Sequence, residues 1–530
     1  GARTIEQTLH VAPVISSQME EAINLWSDMY RNKAPWLKEP TFEDPSRIVS
    51  LGLPSMIASE KARTAMIEFS SEITTPTEEV EVENPNYTAP EPDEFGNMLP
   101  VSEPPTIVED KPVSSVERAE YLESQYKKLK KQLRKQLEYG IAKGGLVIKP
   151  YVVFNKAEGA ETTADIEFDF IQADAFYPLA FNASGKITEA AFLQTKADKD
   201  TIYRRLEYHK WNNNTVEVVN KAYKSPANQT GGEYTGIDLG QEVPLSNIPE
   251  WKDLPEKTTI KNVKQPLFAY FKMPEANTID TVSPLGVSGF SRAVQLIKDA
   301  DMQYSRLLWE YEGGELAIDI DRDAMNFKED SRGNGHTVPN QLQARLFRTV
   351  DLGESDTYQP YNPALRDSSF IQGLNTILMR IEDVTGLSRG TISDASAEAR
   401  TATELKILKQ RSYQANADIQ EAIEDTIRDV IYIMDAYCDL YEIVPAGEYD
   451  VNFEWDDSII VDVDTELGKR ITLMQNGIAS KLEIRMWYYG ETERQAVEAL
   501  QKVDQEAAQT MEQNLIEQQN MANINNQNAE

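Results

Sequence analysis

The feature that most constrains this chain lies between Val287 and Tyr441, where two apolar-striped helical segments bracket a compact insert and a small-residue loop leads into one very long helical segment. In VSGFSRAVQLIKDADMQYSRLLWEYEGG, Phe290, Val294, Ile297, Asp301, Tyr304, Leu308 and Tyr311 recur at three- and four-residue spacing, which predicts one buried face. Gly313 and Gly314 are expected to end this helix as a left-handed cap. In RDSSFIQGLNTILMRIEDVTG, Phe370, Leu374, Ile377, Leu378, Ile381 and Val384 share a face, with Asp367 or Ser368 as the expected cap and Gly386 as the stop. Each helix would be roughly 30 to 38 Å long at about 1.5 Å per residue. The insert between them offers short strand-like pieces (Leu316, Ile318, Ile320; Leu346, Phe347, Val350) separated by Gly and Pro, so a small tip on a two-helix stalk is the simplest geometry.

LSRGTISDASAEAR then reads as an exposed loop, and TATELKILKQRSYQANADIQEAIEDTIRDVIYIMDAYCDLY resumes helical spacing through Leu405, Leu408, Ser412, Ala415, Ile419, Ile423, Ile427, Val430, Met434 and Tyr437. A helix of about 40 residues spans roughly 60 Å, against a globular average of about 11 residues. Such a rod braces something large.

The flanking segments complete an α+β, mainly helical reading. Residues 1–70 are expected to be mostly helical, with Met19, Ile23, Trp26 and Tyr30 on one face. Residues 71–115 carry eight prolines and eleven acidic residues against Lys111 alone, which predicts an extended or flexible acidic insertion, either a solvated loop or a binder of a basic partner. VERAEYLESQYKKLKKQLRKQLEYG follows as a helix burying Leu122, Tyr126, Leu129, Leu133 and Leu137 and presenting Lys127, Lys128, Lys130, Lys131, Arg134 and Lys135. Those bases suit DNA, the acidic insertion of a neighbouring copy, or a solvated face. Residues 144–285 switch to strand rhythm (GLVIKPYVVF, ADIEFDFIQADAFYPLAF, ITEAAFLQTK, YRRLEYHKW, TVEVVNKAY), which predicts a mixed or antiparallel sheet. YDVNFEWDDSIIVD reads as one or two strands, two helices follow, and the Asn/Gln-rich last twenty residues are expected to fray.

Bulk numbers exclude several classes. At 530 residues with 40% hydrophobic content the chain is folded, with two to four domains expected. Cys438 is alone and cannot form an intrachain disulfide, which suits a reducing compartment and a small buried hydrophobe. The N-terminus lacks a signal-peptide core and no run reaches a membrane span, so a soluble protein made in the cytoplasm is expected. With 87 acidic against 53 basic residues, the net charge of -34 argues against a general nucleic-acid binder. His10, His209 and His336 fall in separate segments and no phosphate-binding Gly-x-x-x-x-Gly-Lys loop appears, so neither a His-based triad nor an ATP site is expected. Asp319, Asp321, Asp323 and Asp456, Asp457, Asp462, Asp464 are the acidic clusters nearest to a hard-cation site, without calcium-loop spacing; neither metal nor cofactor is expected. A carboxylate-dyad hydrolase using the sheet region, and a scaffold-like adaptor, are the competing classes.

In this order and local wording the chain resembles the portal, or head-to-tail connector, proteins of tailed bacteriophages, of the siphophage type found with Gram-positive hosts. The phrases that carry it are GVSGFSRAVQLIKDAD, NPALRDSSFIQGLNTILMRIEDVTGLSRGT, ARTATELK and GKRITLMQNGIASKLEIRMWYYGETERQAVEAL. The resemblance implies a wing over 1–286, a stem helix over 287–312, a clip over 313–366, a returning stem helix over 367–385 and a tunnel loop over 386–400. A spine helix with strands over 401–463, crown helices over 464–510 and a flexible tail over 511–530 complete it. It also implies a homo-oligomeric ring of twelve at one capsid vertex, a non-enzymatic channel for DNA packaging and ejection and for head–tail attachment, assembled in the host cytoplasm and part of the virion. Expected partners are major capsid and scaffolding proteins, the terminase large subunit, a head–tail adaptor and double-stranded DNA bound without sequence preference, with no membrane. Ser388, Arg389, Thr391, Ser393, Asp394 and Arg400 are the implied tunnel-loop residues, with Arg389 and Arg400 meeting phosphates or stitching subunits together. Arg322, Lys328, Arg332, Arg345 and Arg348 are the implied clip contacts. An acidic lumen would repel DNA over about 8 Å at physiological salt; the alternative is that the acidity keeps a large protein soluble.

Overall fold

The computed structural model describes residues 8–505 except 11–12, 45, 68, 86, 88–105, 156–162, 227–238, 322–326, 330–334, 338–346, 351–357, 395–401, 456–462, 494 and 504. For residues 320–321, 327–329, 335–337, 347–350, 358, 402–411 and 463–466 it describes the backbone alone. The chain divides into two compact units, Gly1–Trp455 and Asp456–Glu530.

The first unit opens with α1 (Ser17–Tyr30), whose first turn is capped by the Ser16 hydroxyl accepting from the Met19 amide at 3.3 Å. Its spacing buries Met19, Ile23, Trp26 and Met29. In α2 (Leu53–Ala65), Pro54 sits at the start, where a missing N–H costs nothing, and Leu53, Ile57, Ala58, Ala62 and Ala65 face the core.

The described parts of the acidic segment, residues 71–85, 87 and 106–115, are largely strand. They contain β1 (Ser70–Thr74) and a ribbon of β2 (Thr77–Glu83) with β3 (Thr106–Pro112), joined in a seven-pair antiparallel register from Thr77–Pro112 to Glu83–Thr106. Val80, Val82, Ile107 and Val108 supply the strand signal that the surrounding glutamates and prolines hid.

α3 (Glu117–Lys143) buries Leu122, Tyr126, Leu129, Leu133 and Leu137, as its spacing predicts. Gly144 stops it at φ +87, with no room for a side chain: a Cβ there would meet the Gly286 carbonyl oxygen at 2.6 Å. Near the start of α3 the Arg118 guanidinium, 2% exposed, forks to Asp435 and to Asp439 (2.8 Å) and reaches the carbonyls of Pro445 and Val444 (3.0 Å each).

The strand-rich stretch gives β4 (Gly145–Asn155), β5 (Thr163–Gln172), β6 (Phe176–Phe181), β7 (Ile187–Asp198), β8 (Thr201–Asn212), β9 (Thr215–Pro226), β10 (Gln241–Val243), β11 (Lys257–Lys261) and β12 (Ala269–Lys272). These build two antiparallel sheets: β12-β4-β5, and β10-β9-β8-β7-β6 with β11 also on β9.

α4 (Val294–Gly313) comes next, preceded by one 3-10 turn over Ser291–Ala293. The insert contributes β13 (Ala317–Asp321), β14 (Phe327–Glu329), β15 (Gly335–Thr337), β16 (Phe347–Val350) and β17 (Tyr358–Tyr361). β13 is central, parallel to β16 and antiparallel to β17, and β14 pairs with β15.

α5 (Asp367–Thr385) returns along α4, and α6 (Ala402–Leu440) is 39 residues long, roughly 58 Å at about 1.5 Å per residue. From Ile419 onward α6 is rooted in the core through Ile419, Ile423, Ile427, Val430, Ile431, Ile433, Met434 and Cys438, where burial pushes the Cys438 thiol up to about 12. One strand, β18 (Asp450–Glu454), then closes the unit by pairing antiparallel with β1, some 380 residues upstream at Ser70–Glu454 (454 − 70 = 384). Among the described residues one large hydrophobic core runs through α1–α6 and both sheets, and a small second cluster gathers Ala222, Val243, Leu245, Ile248 and Trp251.

In the second unit α7 (Val463–Gln475) and α8 (Lys481–Tyr489) are followed by helical residues 495–503. Ser480 and Glu483 form a reciprocal capping box on α8, and Gly490 ends it at φ +65.

Candidate functional site

The α4–α5 pair and the loop that follows it form the most specifically built feature of the molecule. The root of α4 is buried: Val287, Phe290, Ala293, Ile297 and Ala300 lie in the core. Asp301, 1% exposed, accepts from the Trp36 indole (2.9 Å) and the Leu51 amide (2.8 Å), while burial raises its carboxyl above the ordinary value. Ser305 accepts from the Val49 amide at 3.0 Å. The stripe read from the sequence holds at Phe290, Ile297 and Asp301 and drifts outward at the far end, where Leu307 and Glu310 turn inward and Tyr311 is exposed.

At that far end a buried carboxylate joins the two helices. Glu310 accepts from the Arg366 amide (3.0 Å), Nε (3.1 Å) and Nη2 (2.8 Å), and the guanidinium holds Glu310 below the usual carboxylate value. Two cap expectations are corrected here. Gly314 ends α4 at φ -91, not in the left-handed region, and Arg366 occupies the cap position of α5 with no side-chain cap from Asp367 or Ser368. Gly386 does stop α5, at φ +74.

The loop was expected to be exposed, yet residues 386–394 fold back onto the last turns of α5. Glu382, 0% exposed, is the organising group. Its Oε1 accepts from the amides of Ile392 (2.7 Å) and Ser393 (2.9 Å); its Oε2 accepts from the Gly390 amide (3.3 Å) and the Ser393 hydroxyl (2.7 Å). Beside it Asp383 takes a two-pronged contact from Arg389, at 3.1 and 2.5 Å. Asn375 holds the loop's end, accepting from the Asp394 amide (2.7 Å) and donating to its carbonyl (3.3 Å). Thr391 closes a tight turn on the Ser388 carbonyl through its amide (3.1 Å) and hydroxyl (2.6 Å). The sequence reading missed Asn375, Glu382 and Asp383. The available signal was two adjacent carboxylates in a helix's last turn, where the dipole disfavours negative charge unless donors compensate. Here the donors are the loop's own amides and Ser393 hydroxyl for Glu382, and the Arg389 guanidinium for Asp383.

Of the implied tunnel-loop residues, Ser388, Arg389, Thr391, Ser393 and Asp394 are brought together; Arg400 lies outside the described residues. Arg389 contacts Asp383 within its own chain. Arg322, Arg332 and Arg345 are also outside the described residues; Lys328 lies in β14, and Arg348 in β16 stands opposite Asp319 of β13. The six bases of α3 divide. Lys128 contacts Asp165 and Glu167 (3.2 Å each), and Lys130 contacts Glu123 (3.0 Å) and the Ser71 carbonyl (2.5 Å). Lys127, Lys131, Arg134 and Lys135 are exposed and have no ion-pair partner among the described residues.

The sheet region holds cavities of about 490 and 440 Å³ that share Lys149, Asp169, Gln194, Arg205 and Glu207. A hydrolytic dyad needs one carboxyl kept protonated beside an ionised one. The cavity shows the opposite pattern. Burial raises Glu207, but Lys149 (2.8 Å), His209 (2.6 Å) and Arg205 (3.0 Å) outweigh it and hold the carboxyl well below its ordinary value. Asp174 is paired with Lys143. Among the described residues the raised carboxyls are Asp301 and Asp435, and both spend their oxygens on structural donors. No group of three or more His, Cys, Asp or Glu able to hold a metal occurs among those residues; the Asp456–Asp464 cluster and Asp323 lie outside them or lack a described side chain. No described helix is long and apolar enough to cross a membrane.

A rooted helix pair, a strand-bearing insert, a clamped loop and a long bracing helix define a structural subunit. Comparison with protein families agrees: residues 97–512 match the family described as "Phage portal protein, SPP1 Gp6-like". The chain therefore belongs to the phage portal proteins, a structural and not an enzymatic family. No curated protein matches the chain.

Proposed function

We propose that identical copies of this chain close into a ring, twelve by resemblance, whose hole is lined by α4 and α5 and passes double-stranded DNA at one capsid vertex. The carrying observation is the apolar surface left on the pair and its junction: Trp309 (66% exposed), Leu316 (56%), Leu365 (45%), Ile371 (49%) and Val384 (38%). These side chains belong to a helix pair that already packs on itself, so a neighbouring copy is the natural cover, and head-to-tail contacts that close a cycle supply one for every copy. In this reading residues 313–366 form the clip that meets the terminase large subunit and later a head–tail adaptor. Residues 464–510 form the crown, 386–400 the tunnel loop, and 1–286 the wing facing capsid and scaffolding proteins. The net charge of -34 keeps phosphates from adhering to the passage.

Sedimentation velocity of Trp309→Glu/Ile371→Glu tests it. The wild type is expected as one large assembly and the variant as folded monomers; a wild type that stays monomeric at micromolar concentration contradicts the reading.

A further inference from the structure

Two surfaces of the first unit carry charge arranged against itself. On α3, Lys127, Lys131 and Lys135 follow at i, i+4 and i+8 with Arg134 between them, an array of like charges that disfavours the helix when uncompensated. The neighbouring acids form no ion pair with it among the described residues. Glu123 is taken by Lys130 and the Ile73 amide (2.8 Å), and Glu138 by the Tyr30 hydroxyl (2.7 Å). On the β2–β3 ribbon, Glu79 stands directly opposite Asp110, and Glu81 and Glu83 continue the same face opposite Val108 and Thr106. Like charges facing each other across a ladder are destabilising. Among the described residues the ribbon belongs to no larger sheet, and a lone two-stranded ribbon is marginal in water. Glu79, Glu81, Glu83 and Asp110 are exposed, with no ion-pair partner among the described residues.

The spacings match. Successive bases at i, i+4 rise about 6 Å along a helix, and successive side chains on one strand face are about 6.6 Å apart. Three carboxylates of β2 can therefore meet three ammonium groups of α3 in one register.

We infer that the basic face of α3 is an intersubunit docking surface, and that its occupant is the acidic β2–β3 ribbon of an adjacent copy. This rests on the ring reading: in a closed ring of identical copies a contact between two surfaces recurs at every interface, and once the stems are assembled it is effectively intramolecular. A DNA duplex is the weaker occupant. It would bring a long polyanion against a chain of net charge -34, past Glu120, Glu123, Asp165 and Glu167 on and beside α3.

Cysteine pairing in the full chain tests the contact. Glu81→Cys with Lys131→Cys is oxidised and run without reductant; Cys438 is buried and stays silent. Covalent dimers and higher ladders are expected, and each single-cysteine variant should remain at monomer size. Charge reversal gives the second arm. Lys127→Glu/Lys131→Glu/Lys135→Glu and Glu79→Lys/Glu81→Lys/Glu83→Lys should each raise the concentration needed for assembly at least tenfold, and mixing the two variants should restore it. Intact rings with only a within-chain disulfide, or with none, overturn the inference and leave the ring reading standing. So does rescue that appears only when both reversals share one chain. Retention of a DNA duplex by wild type but not by the lysine variant, without ladders, assigns the face to DNA. A wild type that forms no ring removes this contact together with the reading beneath it.

Discussion

Glu382 is the residue on which the order of the loop turns, and its replacement has a calculable effect. Glu382→Gln keeps one oxygen for the Ile392 and Ser393 amides but removes the charge and turns an amide NH2, a donor, toward the Gly390 amide and the Ser393 hydroxyl. The hydrogen bonds to that second oxygen are charge-assisted and buried, so removing them costs about 1.5–3 kcal/mol. If the cost falls on local opening of the loop, the open population rises roughly 10- to 150-fold. Glu382→Ala removes every acceptor. Its cost is capped, because an opened loop rehydrates its amides; the outcome is a detached loop on a folded chain. Hydrogen exchange by mass spectrometry reads both. The peptide covering 386–394 should exchange roughly 10- to 150-fold faster in Glu382→Gln, by that same conversion, and near the unprotected rate in Glu382→Ala. A peptide within 419–434 of α6, which is rooted in the core, should not change. Wild-type protection of the loop in Glu382→Ala would show that the carboxylate does not hold it.

Further outcomes follow from other parts of the fold. Arg118→Ala leaves the Asp435 carboxylate and the carbonyls of Asp435, Val444 and Pro445 without their donor; discounting the exposed Asp439 contact, the destabilisation is about 2–3 kcal/mol, read as a lower urea midpoint at unchanged slope. Glu207 is held below 4.5, so its ionised form stabilises the fold above pH 4.5, and that contribution is lost as pH falls through the lower folded value. Glu207→Gln should therefore be less stable than wild type at neutral pH, with the gap narrowing below pH 4.5; a gap that widens on acidification contradicts the assignment. Shortening residues 388–398 should leave ring assembly intact and impair DNA packaging or retention in a packaging assay. Loss of the ring itself would refute that division of labour.

The elements that local spacing determines were legible in the residues alone. The periodicity from Ile419 to Tyr437 shows the long helix, alternation shows β4 to β9, and Gly386 marks the end of α5 because only a left-handed residue lets the chain double back there. Features made by distant partners were not legible. Nothing near Ser70 says that it pairs with Glu454, and nothing near Arg118 says that Asp435 and Asp439 receive it. In the acidic stretch the extended reading holds over residues 77–83 and 106–112, but their pairing was not legible, because proline and glutamate outnumber the few valines and isoleucines that mark β2 and β3. The far half of α4 departs for another reason: Tyr311 continues the apolar stripe in sequence, and within one chain it stays exposed. At the loop, reading Arg389 for its charge overlooked that Asp383, six residues away, already receives it.

The most direct measurement is an electron cryo-microscopy map of the purified full chain. The account predicts a closed ring whose central hole is walled by residues 294–313 and 367–385, with Trp309 and Ile371 covered by a neighbouring copy. A closed ring walled by other elements, or a population of lone subunits with both side chains open to water, would contradict it.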